Sequence, residues 1–151
     1  TLTEQKDGVC GMLEAFGIAK SRLPQNTKFI LTGNIAKSPD KKAIEAIINK
    51  YKLSESVEFT GYLDTETLRR YQKYCSLAII NKYPTTQNKY CFATKISEYL
   101  IFARPIIITN VGEAMNFFKN NDNAYIVEPN IPSLIAEKII ENVLRFEKNN
   151  K

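Results

Sequence analysis

Thr94-Lys95-Ile96-Ser97-Glu98-Tyr99-Leu100-Ile101-Phe102-Ala103-Arg104-Pro105-Ile106-Ile107-Ile108-Thr109 is the stretch on which the fold turns. Ile96, Tyr99 and Leu100 recur at helical spacing, so Thr94 to Ala103 is expected to form a helix with those side chains on its apolar side. Pro105 then opens Ile106-Ile107-Ile108-Thr109, a strand without polar alternation, and proline is allowed at a strand's first position. A strand apolar at consecutive positions is covered on both faces, the condition of a parallel sheet.

Working outward, the same alternation repeats. Strands are expected at Lys28 to Thr32, Val57 to Thr60, Leu77 to Ile80 and Ala124 to Val127. Between them lie helical stripes. Val9, Met12, Leu13 and Phe16 mark a first helix over about Gly8 to Ser21. Ser38, with Pro39 in the first turn, opens a second that buries Ile44, Ile47, Ile48 and Tyr51. Asp64 caps a third with Leu68, Tyr71 and Cys75 inside, and the last carries Ile135, Ile139, Val143 and Phe146. A short helix follows Gly112. Repeated βαβ units give an α/β, doubly wound parallel sheet, Rossmann-like, over residues 1–151. In such sheets ligands bind outside the carboxyl ends of the strands, so the loops after Leu31, Thr60, Ile80 and Ile108 are the expected rim.

Composition narrows the chemistry. A net charge of +5, spread along the chain, fits surface lysines with some attraction to phosphates or acidic lipid surfaces. With no arginine-rich run and no nucleic-acid-binding motif, nucleic acid is not an expected partner. The chain has no histidine, which removes histidine bases, triads and metal sites. Cys10, Cys75 and Cys91 lack CxxC spacing and read as reduced thiols of a cytoplasmic protein. Thr1 to Lys6 lacks the apolar segment of a signal peptide and reads as a start in mid-protein.

The loop from Asn81 to Ala93 is long for a strand-to-helix connection. It delivers the chain to the helix N-terminus at Thr94, where N–H groups and the helix dipole suit an anion. Glu98, one turn in, could take two neighbouring ribose hydroxyls, since a carboxylate only accepts. From the pattern alone the plainer readings stand ahead: Thr94 a cap, Lys95 a surface lysine, Glu98 a complement to the dipole.

A resemblance shifts that balance. Thr94 to Ile107 resembles the signature of family 4 retaining glycosyltransferases. Lys6-Asp7-Gly8-Val9, Leu13-Glu14-Ala15-Phe16, Phe29-Ile30-Leu31-Thr32-Gly33, Val57-Glu58-Phe59-Thr60-Gly61-Tyr62-Leu63 and Asn123-Ala124-Tyr125-Ile126-Val127 resemble further segments of the family, in family order. The resemblance implies the C-terminal, donor-binding domain of a GT-B enzyme, one half of the architecture, facing an N-terminal acceptor domain that this chain lacks. It implies transfer from a UDP- or GDP-sugar to a glycan or lipid acceptor, without a cofactor or bound metal, in making a bacterial-type surface polysaccharide such as capsule or lipopolysaccharide. The full-length protein would work in the cytoplasm at the inner face of the membrane. The isolated domain would bind nucleotide and be inactive in transfer.

Carried over by position, Glu98 would hold the ribose hydroxyls. Backbone N–H groups at Ala93, Thr94 and Lys95 would hold the diphosphate, which Lys6 would also reach. Tyr62 and Leu63 would contact the base, and Gly33 would let a loop approach the donor. No catalytic residue is assigned in this half. Tyr90 stands where the family often has a second glutamate, eight positions before Glu98, and Gln87 or Asn88 could take a polar role there. Ala103 replaces a family glycine, which alanine tolerates where φ stays negative. Tyr90 also motivates an alternative, a non-catalytic GT-B binding module or scaffold. A receiver-type signalling domain lacks its acidic cluster here.

Overall fold

The computed structural model describes residues 2–90 and 95–149. Among the described residues, five short strands carry the core: β1 (Phe29–Leu31), β2 (Val57–Phe59), β3 (Ala78–Ile80), β4 (Ile106–Thr109) and β5 (Tyr125–Val127). All pairings between these strands are parallel, with Phe29 opposite Val57, Ala78 opposite Ile106 and Ile107 opposite Tyr125. Parallel neighbours need a crossover. Helix α3 (Lys41–Lys50) joins β1 to β2, α4 (Thr65–Tyr74) joins β2 to β3, and α6 (Lys95–Ile101) precedes β4. A single 3-10 turn, Glu113–Asn116, stands in for the helix expected after Gly112.

β4 shows why this is a doubly wound sheet. All four of its residues are buried. Successive side chains of a strand point to opposite faces. Ile107 therefore enters one core with Phe16, Leu53, Ile135 and Ile139. Ile106 and Ile108 enter the other, with Ala78, Ile80 and Ile96 of α6. The first face is covered by α2 (Val9–Ala19) and α7 (Pro132–Asn149), which pack together. A third cluster, Leu2, Val9, Leu13, Leu31 and Ile44, seats α3.

The structure departs from the sequence reading in several places. The hydrogen-bonded ladders are two, β1–β2 and β3–β4–β5, not one continuous sheet. A cleft lined by both β1 and β3 separates them. The first helix is two: α1 (Glu4–Asp7) and α2 meet at Gly8, whose φ of 61° ends one and starts the other. Ser38 does not cap α3. Its hydroxyl donates to the Leu2 carbonyl at 2.6 Å and accepts from Asp40 N–H, so the helix starts after Asp40. Asp64 does cap α4, accepting from Thr67 N–H at 2.9 Å. The 81–93 loop holds a helical turn, α5 (Thr86–Lys89), capped by Thr85. Leu100 and Phe146, read as inward, are 43% and 45% exposed, because each lies beyond the buried stripe of its helix.

Ala103 also fails its condition. Its φ is 50°, in the left-handed region. Its N–H bonds to Leu100 O, and Arg104 N–H bonds to Tyr99 O. This pair of bonds is the Schellman ending of a helix, whose left-handed residue is usually glycine. The strain of a Cβ there exceeds the entropy that glycine adds to the unfolded chain. Ala103→Gly is accordingly expected to stabilise the domain by about 0.5–1 kcal/mol. A melting curve reads this as a rise of about 1–4 °C.

Candidate functional site

The cleft between the two ladders has a volume of about 910 Å³. Its walls are apolar where β1, β3 and α4 line it, with Phe29, Ile30, Tyr71 and Ile79. Its lining turns polar at the carboxyl end of β3, where Asn81, Lys82 and Asn88 join Lys6, Asp7 and Lys95. This is one of the loops expected to form the rim.

Side-chain bonds tie this mouth together. Lys82 Nζ donates to the Lys6 carbonyl. Lys95 Nζ lies 3.8 Å from Asp7 Oδ1. Asn81, 3% exposed, donates from Nδ2 to Gly8 O at 2.9 Å, while its buried Oδ1 finds no partner among the described residues. The path of Lys82 is set by Thr109 at the end of β4. The Thr109 hydroxyl accepts from Lys82 N–H at 2.7 Å and donates to Lys82 O at 2.8 Å, replacing a rung of the ladder past β3.

A second network fixes the N-terminal segment. Glu4 accepts from Cys10 N–H at 2.5 Å and from the Tyr83 hydroxyl, and its own N–H donates to Asp40 Oδ2 at 2.8 Å. The Glu4 carboxylate thus joins α1, α2 and the β3–α5 loop, while its main-chain N–H ties α1 to the approach to α3. Burial first, then the Glu4 carboxylate, pushes the Cys10 thiol up to about 12, so it stays protonated at neutral pH. The same two causes raise the Tyr83 hydroxyl.

Of the residues expected from sequence, Lys6 and Lys95 come together at this mouth. Glu98 lies one turn along α6 from Lys95, on the same side at i, i+3 spacing. It is half-buried, and its Oε2 accepts from Gln72 Nε2 at 2.5 Å. Gly33, Tyr62 and Leu63 gather instead at the carboxyl ends of β1 and β2, where Gly33 bridges Gly61. Tyr62 is 98% exposed, and the close approach at Gly33 is made by Leu2, 2.9 Å from where a Cβ would stand. Neither they nor Glu98 belong to the cleft lining among the described residues. Ala93 and Thr94, with Cys91, lie outside the described residues. Tyr90 is 78% exposed.

Sequence reasoning missed Lys82, Asn81 and Gln72. The first two were findable, since they directly follow a strand at its ligand-facing end. Gln72 carried no local signal. Among the described residues, no group of three His, Cys, Asp or Glu could hold a metal ion. Nor is any helix among them long and apolar enough to cross a membrane.

The sequence model of the family described as "Glycosyl transferases group 1" matches residues 2–151. No curated protein matches the chain. Solved structures do. Anabaena Alr3699/HepE in complex with UDP-glucose superposes with a TM-score of 0.77 at 19% identity, covering 97% of this chain and 38% of that one. The C-terminal domain of the glycosyl transferase group 1 family protein LpcC from Francisella tularensis gives 0.78 at 18%, covering 95% and 71%. The catalytic domain of the cholesterol-alpha-glucosyltransferase from Helicobacter pylori gives 0.71 at 20%, covering 95% and 82%. The chain thus spans 38% of the length of the Anabaena protein.

Proposed function

Because the chain belongs to the group 1 glycosyl transferases, and folds as one half of their GT-B architecture, we propose that it binds the nucleotide sugar from which such an enzyme transfers a sugar to a glycan or lipid acceptor. One observation carries the reading: Lys6, Lys82 and Lys95 converge on the cleft mouth after β3, with Glu98 one turn further along α6. The lysines suit a diphosphate and the carboxylate suits the two hydroxyls of a ribose.

The chemistry follows from charge. As the bond from sugar to diphosphate breaks, negative charge grows on the leaving phosphate oxygens. Cations held in place beforehand lower the barrier, because they act most strongly when that charge is largest. The backbone N–H groups at Ala93, Thr94 and Lys95 are proposed to add donors to the same phosphates. Tyr62 and Leu63 are proposed to contact the base. UDP or GDP sugars are the proposed donors, and the Anabaena relative, solved with UDP-glucose, favours the former. The acceptor is proposed to be held by a further domain facing this one, so these 151 residues alone would bind nucleotide and transfer little sugar.

Calorimetric titration with UDP and with GDP tests the reading. Saturable binding of one is expected, with Glu98→Ala weakening it by about 1–3 kcal/mol, the cost of removing a charged hydrogen-bond partner. Binding of neither nucleotide would overturn the proposal.

A further inference from the structure

Helix α4 buries one polar side chain, Gln72, which is 5% exposed. An amide taken out of water is destabilising unless it is bonded. Its Nε2 donates to Glu98 Oε2 at 2.5 Å, across the contact between α4 and α6, and the residue also lines the cleft. Among the described residues, no ion pair engages Glu98.

We propose that Gln72 is a positioning residue that orients Glu98 for a ribose diol, and so makes the site select ribonucleoside diphosphates over their 2′-deoxy counterparts. The inference rests on the donor-site reading above. A carboxylate offers about four lone-pair sites on two oxygens. Gln72 occupies one on Oε2 and leaves Oε1 for hydroxyl donors. A neutral amide fixes the carboxylate without cancelling its charge, as a lysine or arginine would. The bond also settles the carboxylate before a ligand arrives. A flexible glutamate must lose its rotamer freedom during binding, whereas one already held keeps the full benefit of each hydroxyl bond. Glu98 would be the residue that touches the ribose. Gln72 would act only through it.

The test compares Kd for UDP and 2′-deoxy-UDP (or the guanosine pair, if GDP is the nucleotide bound) in the wild type, Gln72→Met, Glu98→Ala and the double variant. Methionine keeps the length and apolar stem of glutamine. The wild type is expected to prefer the ribonucleotide about tenfold or more, the size of one charge-assisted bond. Gln72→Met is expected to shrink that ratio at least threefold by weakening the ribonucleotide alone, and to add nothing to Glu98→Ala. A ratio taken within one sample does not depend on the fraction folded, so partial unfolding of the variant cannot mimic the effect. An unchanged ratio in Gln72→Met, or equal weakening of both nucleotides, overturns the role of Gln72 while the donor site stands. If the wild type binds both nucleotides alike and Glu98→Ala changes neither, the donor-site reading has failed and this inference falls with it.

Discussion

Phe16→Ala destabilises the domain by about 3–5 kcal/mol, the range for deleting a buried aromatic ring. Phe16 is 2% exposed, and its ring stacks on Phe29 with centroids 5.2 Å apart and planes 24° from parallel. That contact joins α2 to β1, while the same cluster joins α2 to Ile107 of β4 and to α7. The Lys20 ammonium stands 5.9 Å over the ring and loses its partner as well. The ring also lines the cleft, so its removal adds to a space already present. Domains are stable by only about 5–15 kcal/mol in total. Thermal unfolding is therefore expected to drop by about 6–20 °C. A loss under about 1 kcal/mol would show that the ring does not join the two sides of the core.

Gly8→Ala acts where the N-terminal helices meet the cleft mouth. The residue sits at φ 61°, and a Cβ would stand 2.4 Å from Asn81 Nδ2 and 2.7 Å from Asn81 O. Strain in the left-handed region contributes about 1–2 kcal/mol, and the enforced shift of a packed neighbour about 1–3. The expected loss is about 2–5 kcal/mol, measured by denaturant titration. Gly8→Asn separates the two causes. Asparagine tolerates the left-handed region but still carries a Cβ. If it costs as much as alanine, the clash with Asn81 dominates. If it restores most of the stability, backbone strain dominates. Nucleotide affinity measured on the folded fraction should fall with the alanine variant too, because the displaced Asn81 carries Lys82 with it.

The parts of this molecule that sequence reveals are those written by burial. Ile106-Ile107-Ile108 could only be a strand covered on both faces, and it is. Asp64 could only cap a helix start, because its short carboxylate reaches the next free N–H groups. Lys6 and Lys95 were placed by likeness to a family rather than by pattern, and the fold does bring both to the mouth. What stayed hidden depends on tertiary partners. Gln72 looked like one more polar residue of a surface helix, and its bond to Glu98 spans 26 positions. Ser38 looked like a cap until Leu2 claimed its hydroxyl. Ala103 looked tolerable because alanine gives no sign of the left-handed residue that ends α6. The separation of the sheet into two ladders likewise had no local signature, since each strand alone reads the same way.

The Thr109 hydroxyl grips the main chain of Lys82 and never its side chain. The main-chain course at residue 82 is thereby held independently of its side chain, whose ammonium instead ties the loop to the Lys6 carbonyl. A different side chain at position 82 would lose the tie to the Lys6 carbonyl yet keep both main-chain bonds to Thr109. A threonine at the end of a fully buried strand thus divides the work at the next loop, its hydroxyl fixing the main chain and leaving the lysine ammonium to reach the neighbouring segment.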